Sequence, residues 1–129
     1  KVLAGGPMMG KSVASLDVPV CKGTNSITVL TGADAHRKKV QNCIRCGKCV
    51  SACPMGLEPY LLATLSAAQE WERLESEDVT SCISCGSCQF TCPAHRPLLD
   101  NITFGKGHVM GIIKARIAKA KAEAAKAKA

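Results

Sequence analysis

Twice in its 129 residues the chain repeats one twelve-residue run, CIRCGKCVSACP from Cys43 to Pro54 and CISCGSCQFTCP from Cys82 to Pro93, at an offset of 39 residues. Both copies put Ile after the first Cys and Gly after the second, which marks a duplicated site. Each reads C-x2-C-x2-C-x3-C-P. Thiols crowded at such spacings converge on a centre, so the fold must be built around two of them.

That spacing is the bacterial iron–sulfur signature. Three thiolates separated by two residues can curl around one cubane and hold three of its irons. The fourth iron needs a ligand from another direction, and the Cys before proline, carried away from its own loop, reaches the other cluster. Pro54 and Pro93 hold Cys53 and Cys92 extended, which suits that departure. The expected assignment is therefore crossed: Cys43, Cys46, Cys49 and Cys92 on the first [4Fe-4S] cluster, and Cys82, Cys85, Cys88 and Cys53 on the second. Gly47 and Gly86 are expected to let backbone approach sulfide, and Ile44 and Ile83 to dry the sites. With all eight positions filled, no iron is left open for substrate, so such clusters pass electrons. Zinc is the structural alternative, but zinc sites favour paired C-x2-4-C ligands across a longer gap.

Aromatic residues make up only 3% of the chain, so the core is short of large rings and metal staples would help to hold it. Eight of the nine cysteines lie in the two runs, and no signal peptide opens the sequence, which points to metal centres in a reducing compartment. The chain starts with Lys, and we expect it to be a piece of something larger. No apolar run is long enough to span a membrane. Of the formal charge of +7, the segment from Gly111 to Ala129 carries +5, through Lys114, Arg116, Lys119, Lys121, Lys126 and Lys128 against Glu123. The body is near neutral, which removes most support for a nucleic-acid partner. The Ala/Lys-rich segment reads as a solvated helix, lacking the large apolar residues of a membrane-surface anchor.

Gly5 to Ser12, GGPMMGKS, matches the P-loop string G-x-x-x-x-G-K-[ST] in full. Its context is wrong. A P-loop needs a central strand before it and a long helix after it, and Pro19 would end any helix soon after Ser12. The expectation is a tight turn with Met8 and Met9 packing inward. Further on, Ser26 to Leu30 reads as a strand. Between the cysteine runs, Glu58-Pro59 suits a helix start. Leu57, Leu61, Leu65, Ala68 and Leu74 form one apolar stripe, predicting an uninterrupted helix from Leu57 to about Ser76.

Cys21, among Val18, Pro19 and Val20, is expected to be a small buried apolar residue. His36, His95 and His108 have no metal-ligand spacing and read as ordinary polar residues. Arg37-Lys38-Lys39 reads as a solvated face, or more sharply as a docking patch for an acidic electron carrier.

GGPMMG, then D-V-P-V-C-K-G-T-N, the I-T-V-L strand and the two helix-linked cysteine runs together resemble the C-terminal part of the C subunit of the Rnf electron-transport complex, over essentially residues 1–117. The resemblance implies a mainly α protein: residues 1–40 as the remnant of a small β-grasp-like module, 41–110 as an α-helical ferredoxin domain with two [4Fe-4S] clusters, and 111–129 as a helical tail. It implies electron transfer within a membrane complex that moves electrons between ferredoxin and NAD and couples this to ion transport. The protein would be peripheral, on the cytoplasmic face of the bacterial inner membrane, with other subunits and a ferredoxin-type carrier as partners. FMN and NAD would bind only in an upstream region. The alternatives are a heterodisulfide-reductase-like or succinate-dehydrogenase-like iron–sulfur subunit, or a metal-stapled binding module.

Overall fold

The computed structural model describes residues 1–7, 10–36 and 38–126. A three-stranded antiparallel sheet comes first: β1 (Val2–Ala4), β2 (Lys11–Ser12) and β3 (Ile27–Val29), in the order β2-β1-β3. β3 falls within the predicted strand. Leu3 sits opposite Ser12 on one side and Thr28 on the other, and among the described residues of 1–46 it alone is buried.

The P-loop string is thus a β-hairpin. Lys11 and Ser12 pair with Ala4 and Leu3, where a nucleotide-binding loop would have its helix begin. The turn is tight enough to require glycine. Gly5 has φ +116°, and the Gly10 amide donates to the Gly6 carbonyl at 2.8 Å. A Cβ on Gly10 would lie 2.5 Å from that same oxygen. The turn expectation holds; Met8 and Met9 lie outside the described residues.

The rest of the described chain is helical: α1 (Gly32–Ala35), α2 (Lys48–Ser51), α3 (Pro59–Ala68), α4 (Trp71–Ser76), a 3-10 turn (Val79–Ser81), α5 (Ser87–Phe90) and α6 (Leu98–Lys126). The 39-residue repeat extends well beyond the cysteines. It carries α2 onto α5, and the start of α3 at Pro59 onto the start of α6 at Leu98. Left-handed backbone recurs at matched places: Arg45 and Ser84, Gly47 and Gly86, Gly56 and His95. Two copies of one loop–helix–turn–helix unit therefore pack together, with α3 against α6.

Between them lies the core: Leu62, Ala63, Leu65, Leu74, Val79, Leu98, Ile102 and Val109. Burying each such Leu, Ile or Val contributes about 1.5–3 kcal/mol of transfer free energy. α3 and α6 approach closely where Ser66 meets Gly105; a Cβ on Gly105 would collide with the Ser66 hydroxyl and with Leu74. The Ser66 hydroxyl, though buried, donates to the Leu62 carbonyl at 2.8 Å and so is satisfied.

The predicted single helix between the cysteine runs is broken. It begins as expected, with Glu58 at the cap and Pro59 in the first turn. It stops at Gln69, whose φ of +59° turns its amide, and that of Glu70, back onto the last carbonyls of α3. The break aims Leu74 into the core and lays Trp71 against α6, where its ring stacks on His108 at 4.7 Å. The buried face also shifts from the predicted stripe: Leu62, Ala63, Leu65 and Ser66 are buried, whereas Ala68 is exposed.

α6 runs without a break from Leu98 to Lys126. It buries Leu98, Ile102 and Val109, and from Lys114 to Ala125 every side chain is exposed. Arg116 forms a two-pronged pair with Glu75 at 3.0 and 3.1 Å, tying the outer helix to α4. Because Arg116 is exposed, solvent screens that pair and it adds little to stability. Among the described residues, no helix is long and apolar enough to cross a membrane.

Candidate metal centres

Each cysteine run forms a loop that α2 or α5 closes. Arg45 and then Gly47 take left-handed backbone, as do Ser84 and Gly86, and these reversals wrap the loop inward. Nothing lies within 4 Å of a Cβ on Gly47, and only Leu99, at 3.5 Å, near one on Gly86. Their left-handed φ of +74° and +81° is itself a reason for glycine at both places. Ile44 and Ile83 do line the cavities, but they leave 69% and 55% of their surface exposed and dry little.

The thiols gather in two sets. Cys43, Cys46, Cys49 and Cys92 line one cavity of about 530 Å³, together with Tyr60, Leu61, Leu98, Arg45 and Arg96. Cys53, Cys82, Cys85 and Cys88 line another, with Leu57, Leu62, Leu99 and Ile102. The second cavity is nearly closed, at about 20 Å³. Each set takes three thiols from one run and its fourth from the other. The crossing is made at the Cys-Pro corners: Cys53 lies at the cavity of the second run and Cys92 at that of the first, while α3 and α6 pack against each other.

The donor sets call for a cation. Burial pushes the Cys88 thiol up to about 11, and the neighbouring Cys82, Cys85 and Cys53 sulfurs push it the same way. Burial raises the Cys49 thiol too, with Cys92 adding to it. Four thiolates cannot remain charged together in such surroundings unless positive charge sits among them. Other groups already favour the thiolate. The backbone amide of Arg45 lowers the Cys43 thiol, and the Arg96 guanidinium helps. At the matched place, the Ser84 amide donates to the Cys82 sulfur at 3.4 Å. The Ser87 hydroxyl and amide lower the Cys85 thiol. Among the described residues, no three or more His, Cys, Asp or Glu converge closely enough to hold a single metal ion. Two four-sulfur sets, each with a backbone amide aimed at a sulfur, fit two polynuclear iron–sulfur centres.

A family model described as a 4Fe-4S dicluster domain matches residues 42–96, which hold all eight of these cysteines. A second model of the same description matches residues 17–58, a stretch containing the first run only. The C subunit of the Na(+)-translocating ferredoxin:NAD(+) oxidoreductase complex of Acetobacterium woodii is 47% identical over 110 residues, covering 85% of this chain and 25% of that protein. The C subunit of the ion-translocating oxidoreductase complex of Rhodobacter capsulatus is 50% identical over 107 residues, covering 83% of this chain and 21% of that protein. Residues 42–96 form a 4Fe-4S dicluster domain, and the chain is related to the C subunit of Rnf complexes. The C subunit of the proton-translocating ferredoxin:NAD(+) oxidoreductase complex of Clostridium ljungdahlii is similar as well, 42% identical over 77 residues, or 60% of this chain and 17% of that protein. The chain spans a quarter or less of the length of these curated relatives.

Four residues at the centres escaped the sequence reading. Tyr60 lines the first cavity, and its backbone amide favours the Cys49 thiolate; its repeat mate Leu99 lines the second. Arg96, just past the second run, reaches the first centre. Lys106 donates from α6 to the Cys82 carbonyl at 2.7 Å, pinning the second loop. The repeat offset could have flagged Tyr60, but the reach of Arg96 and Lys106 depends on helix packing that no local pattern encodes. Cys21 is exposed, with its thiol on the Pro19 carbonyl at 3.7 Å, which corrects the expectation of burial. The short sheet beside it has no interior in which to bury a thiol. The three histidines are ordinary polar residues in place: His36 follows α1, exposed His95 supplies a left-handed turn, and His108 stacks on Trp71. Of the basic run, Arg37 lies outside the described residues. Lys38 and Lys39 are exposed, and Lys38 lies by the outer side of the second loop, near Cys85 and Phe90.

Proposed function

We propose that this chain conducts electrons through two [4Fe-4S] clusters, as the two-cluster part of the C subunit in an Rnf-type ion-translocating ferredoxin:NAD+ oxidoreductase. The observation that carries it is the crossed grouping of the thiols, three from one run and the fourth from the other in each cavity. In this reading Cys43, Cys46, Cys49 and Cys92 hold the first cluster, and Cys82, Cys85, Cys88 and Cys53 hold the second. The clusters supply one-electron storage. The chain supplies the rest: eight ligands, amides directed at sulfur, and a packed α3–α6 pair that fixes the two sites relative to each other. A rigid spacing keeps electron transfer from depending on diffusion of the sites.

The finer architecture belongs to the same proposal. Residues 41–110 are an α-helical ferredoxin domain, 1–40 the remnant of a β-grasp-like module, and 111–129 a helical tail. The chain converts no substrate itself. It sits peripherally on the cytoplasmic face of the membrane, among other subunits, and takes electrons from or gives them to a ferredoxin-type carrier. FMN and NAD bind elsewhere in the longer polypeptide. Anaerobic redox titration followed by EPR tests the proposal: two clusters that accept one electron each within the range of low-potential carriers support it, and centres that no reductant changes would remove it.

A further inference from the structure

The two centres are related by the repeat, yet they meet solvent differently. Cys43 and Cys46 are exposed, whereas their mates Cys82 and Cys85 are half-buried. The chain's own N-terminal part lies against the second loop, where Pro7, Lys38 and Val40 share a cleft with Cys85, Phe90 and Leu99. Its Gln41 amide donates to the Ala94 carbonyl at 2.8 Å. The charges also break the repeat. Arg45 and Lys48 of the first loop replace Ser84 and Ser87 of the second. Arg96 joins Arg45 on the wall of the first cavity, a wall on which no carboxylate stands among the described residues. The nearby Glu58 is engaged by the Tyr60 hydroxyl at 2.9 Å. At the second centre, the Lys106 ammonium is turned inward onto the Cys82 carbonyl, and Lys38 lies near the outer face.

We propose that the rim of the first cavity, Arg45 and Arg96 around the exposed Cys43 and Cys46, together with the exposed Lys48 that follows Gly47 of that rim, is the docking surface for an acidic redox protein. This rests on the electron-transfer reading of the same site and adds which end receives the mobile partner. Exposed thiolate ligands bring the partner's redox group close, and the exposed Ile44 offers the small apolar contact typical of short-lived encounters. The cations offset the negative charge of a thiolate-ligated centre, which would otherwise repel an acidic surface. Electrostatic steering of this kind raises the association rate and fades as salt screens it.

The test uses an acidic two-cluster bacterial ferredoxin as probe, with binding measured anaerobically by calorimetry in low and in near-physiological salt. The rim variant is Arg45→Asn with Lys48→Glu, Asn being chosen because it tolerates the left-handed backbone at position 45. The control is Lys119→Glu with Lys121→Gln, which changes net charge equally on the exposed outer part of α6. We expect the rim variant to weaken low-salt binding about tenfold and to flatten its salt dependence, with the control within about twofold of wild type. Lys48→Glu alone, which leaves the loop backbone untouched, should give a smaller shift in the same direction. Equal binding by wild type and rim variant, equal losses in rim and tail variants, or no binding by wild type would overturn the proposal. Iron and sulfide content of the same samples separates the two readings. Wild-type chain without sulfide removes the electron-transfer reading, and full clusters with rim-independent binding remove only the docking surface.

Discussion

Ser66 on α3 and Gly105 on α6 hold the same position in the two halves of the repeat, 39 residues apart, and they meet across the helix pair. Glycine inside a helix ordinarily costs about 1 kcal/mol against alanine, and here the closeness of the helices outweighs that cost. Gly105→Ala should therefore destabilise by about 1–3 kcal/mol, because the added methyl strikes Ser66 and Leu74 in a packed core. Exchanging the pair, Ser66→Gly with Gly105→Ser, should recover part of the loss of Gly105→Ser alone. Thermal unfolding of the three variants reads this directly, and a rise in midpoint for Gly105→Ala would refute the close-approach account.

The crossed thiol sets make a prediction about pairs of substitutions. Cys43→Ser with Cys92→Ser should damage one cluster and leave the other with the EPR signal of a single, uncoupled cubane, although the two residues belong to different runs. Cys82→Ser with Cys92→Ser should damage both. If each run served its own cluster, the two pairs would exchange behaviour.

At Gly47 and Gly86 the demand is for left-handed backbone, with φ of +74° and +81°. Alanine at either place should cost about 1–2 kcal/mol and lower cluster occupancy, while asparagine should recover much of the loss. Iron content after anaerobic reconstitution distinguishes the substitutions. Equal failure of alanine and asparagine would point to space rather than conformation.

The glycine-rich N-terminal string should bind no nucleotide. Lys11 and Ser12 are committed to β2, paired with β1. Lys11→Ala should leave stability and cluster content unchanged, and calorimetry with Mg-ATP should show no heat of binding. A saturable ATP isotherm abolished by Lys11→Ala would contradict the hairpin.

The duplicated runs, the strand at Ile27–Val29, the start of α3 at Pro59 and the unsuitability of GGPMMGKS as a P-loop were legible because each rests on local chemistry: thiol spacing, β-branching, proline geometry and the absence of a following helix. The features that were not legible depend on tertiary packing. Gln69 has no residue-level reason to end a helix, and only the pull of Leu74 and Trp71 toward α6 explains its left-handed turn. The apolar residues around Cys21 suggested burial, yet so small a sheet offers no second layer to cover it. Arg96 follows the second run in sequence but lines the first cavity, because the chain from Cys92 to Arg96 turns to that side.

Anaerobic iron and acid-labile sulfide analysis, with EPR after dithionite reduction, asks whether the eight cysteines hold two [4Fe-4S] clusters that carry electrons. About eight iron and eight sulfide per chain are expected, with the spectra of two interacting reduced cubanes. Zinc without sulfide, or clusters that dithionite leaves unreduced, would contradict it and make this chain a metal-stapled binding module.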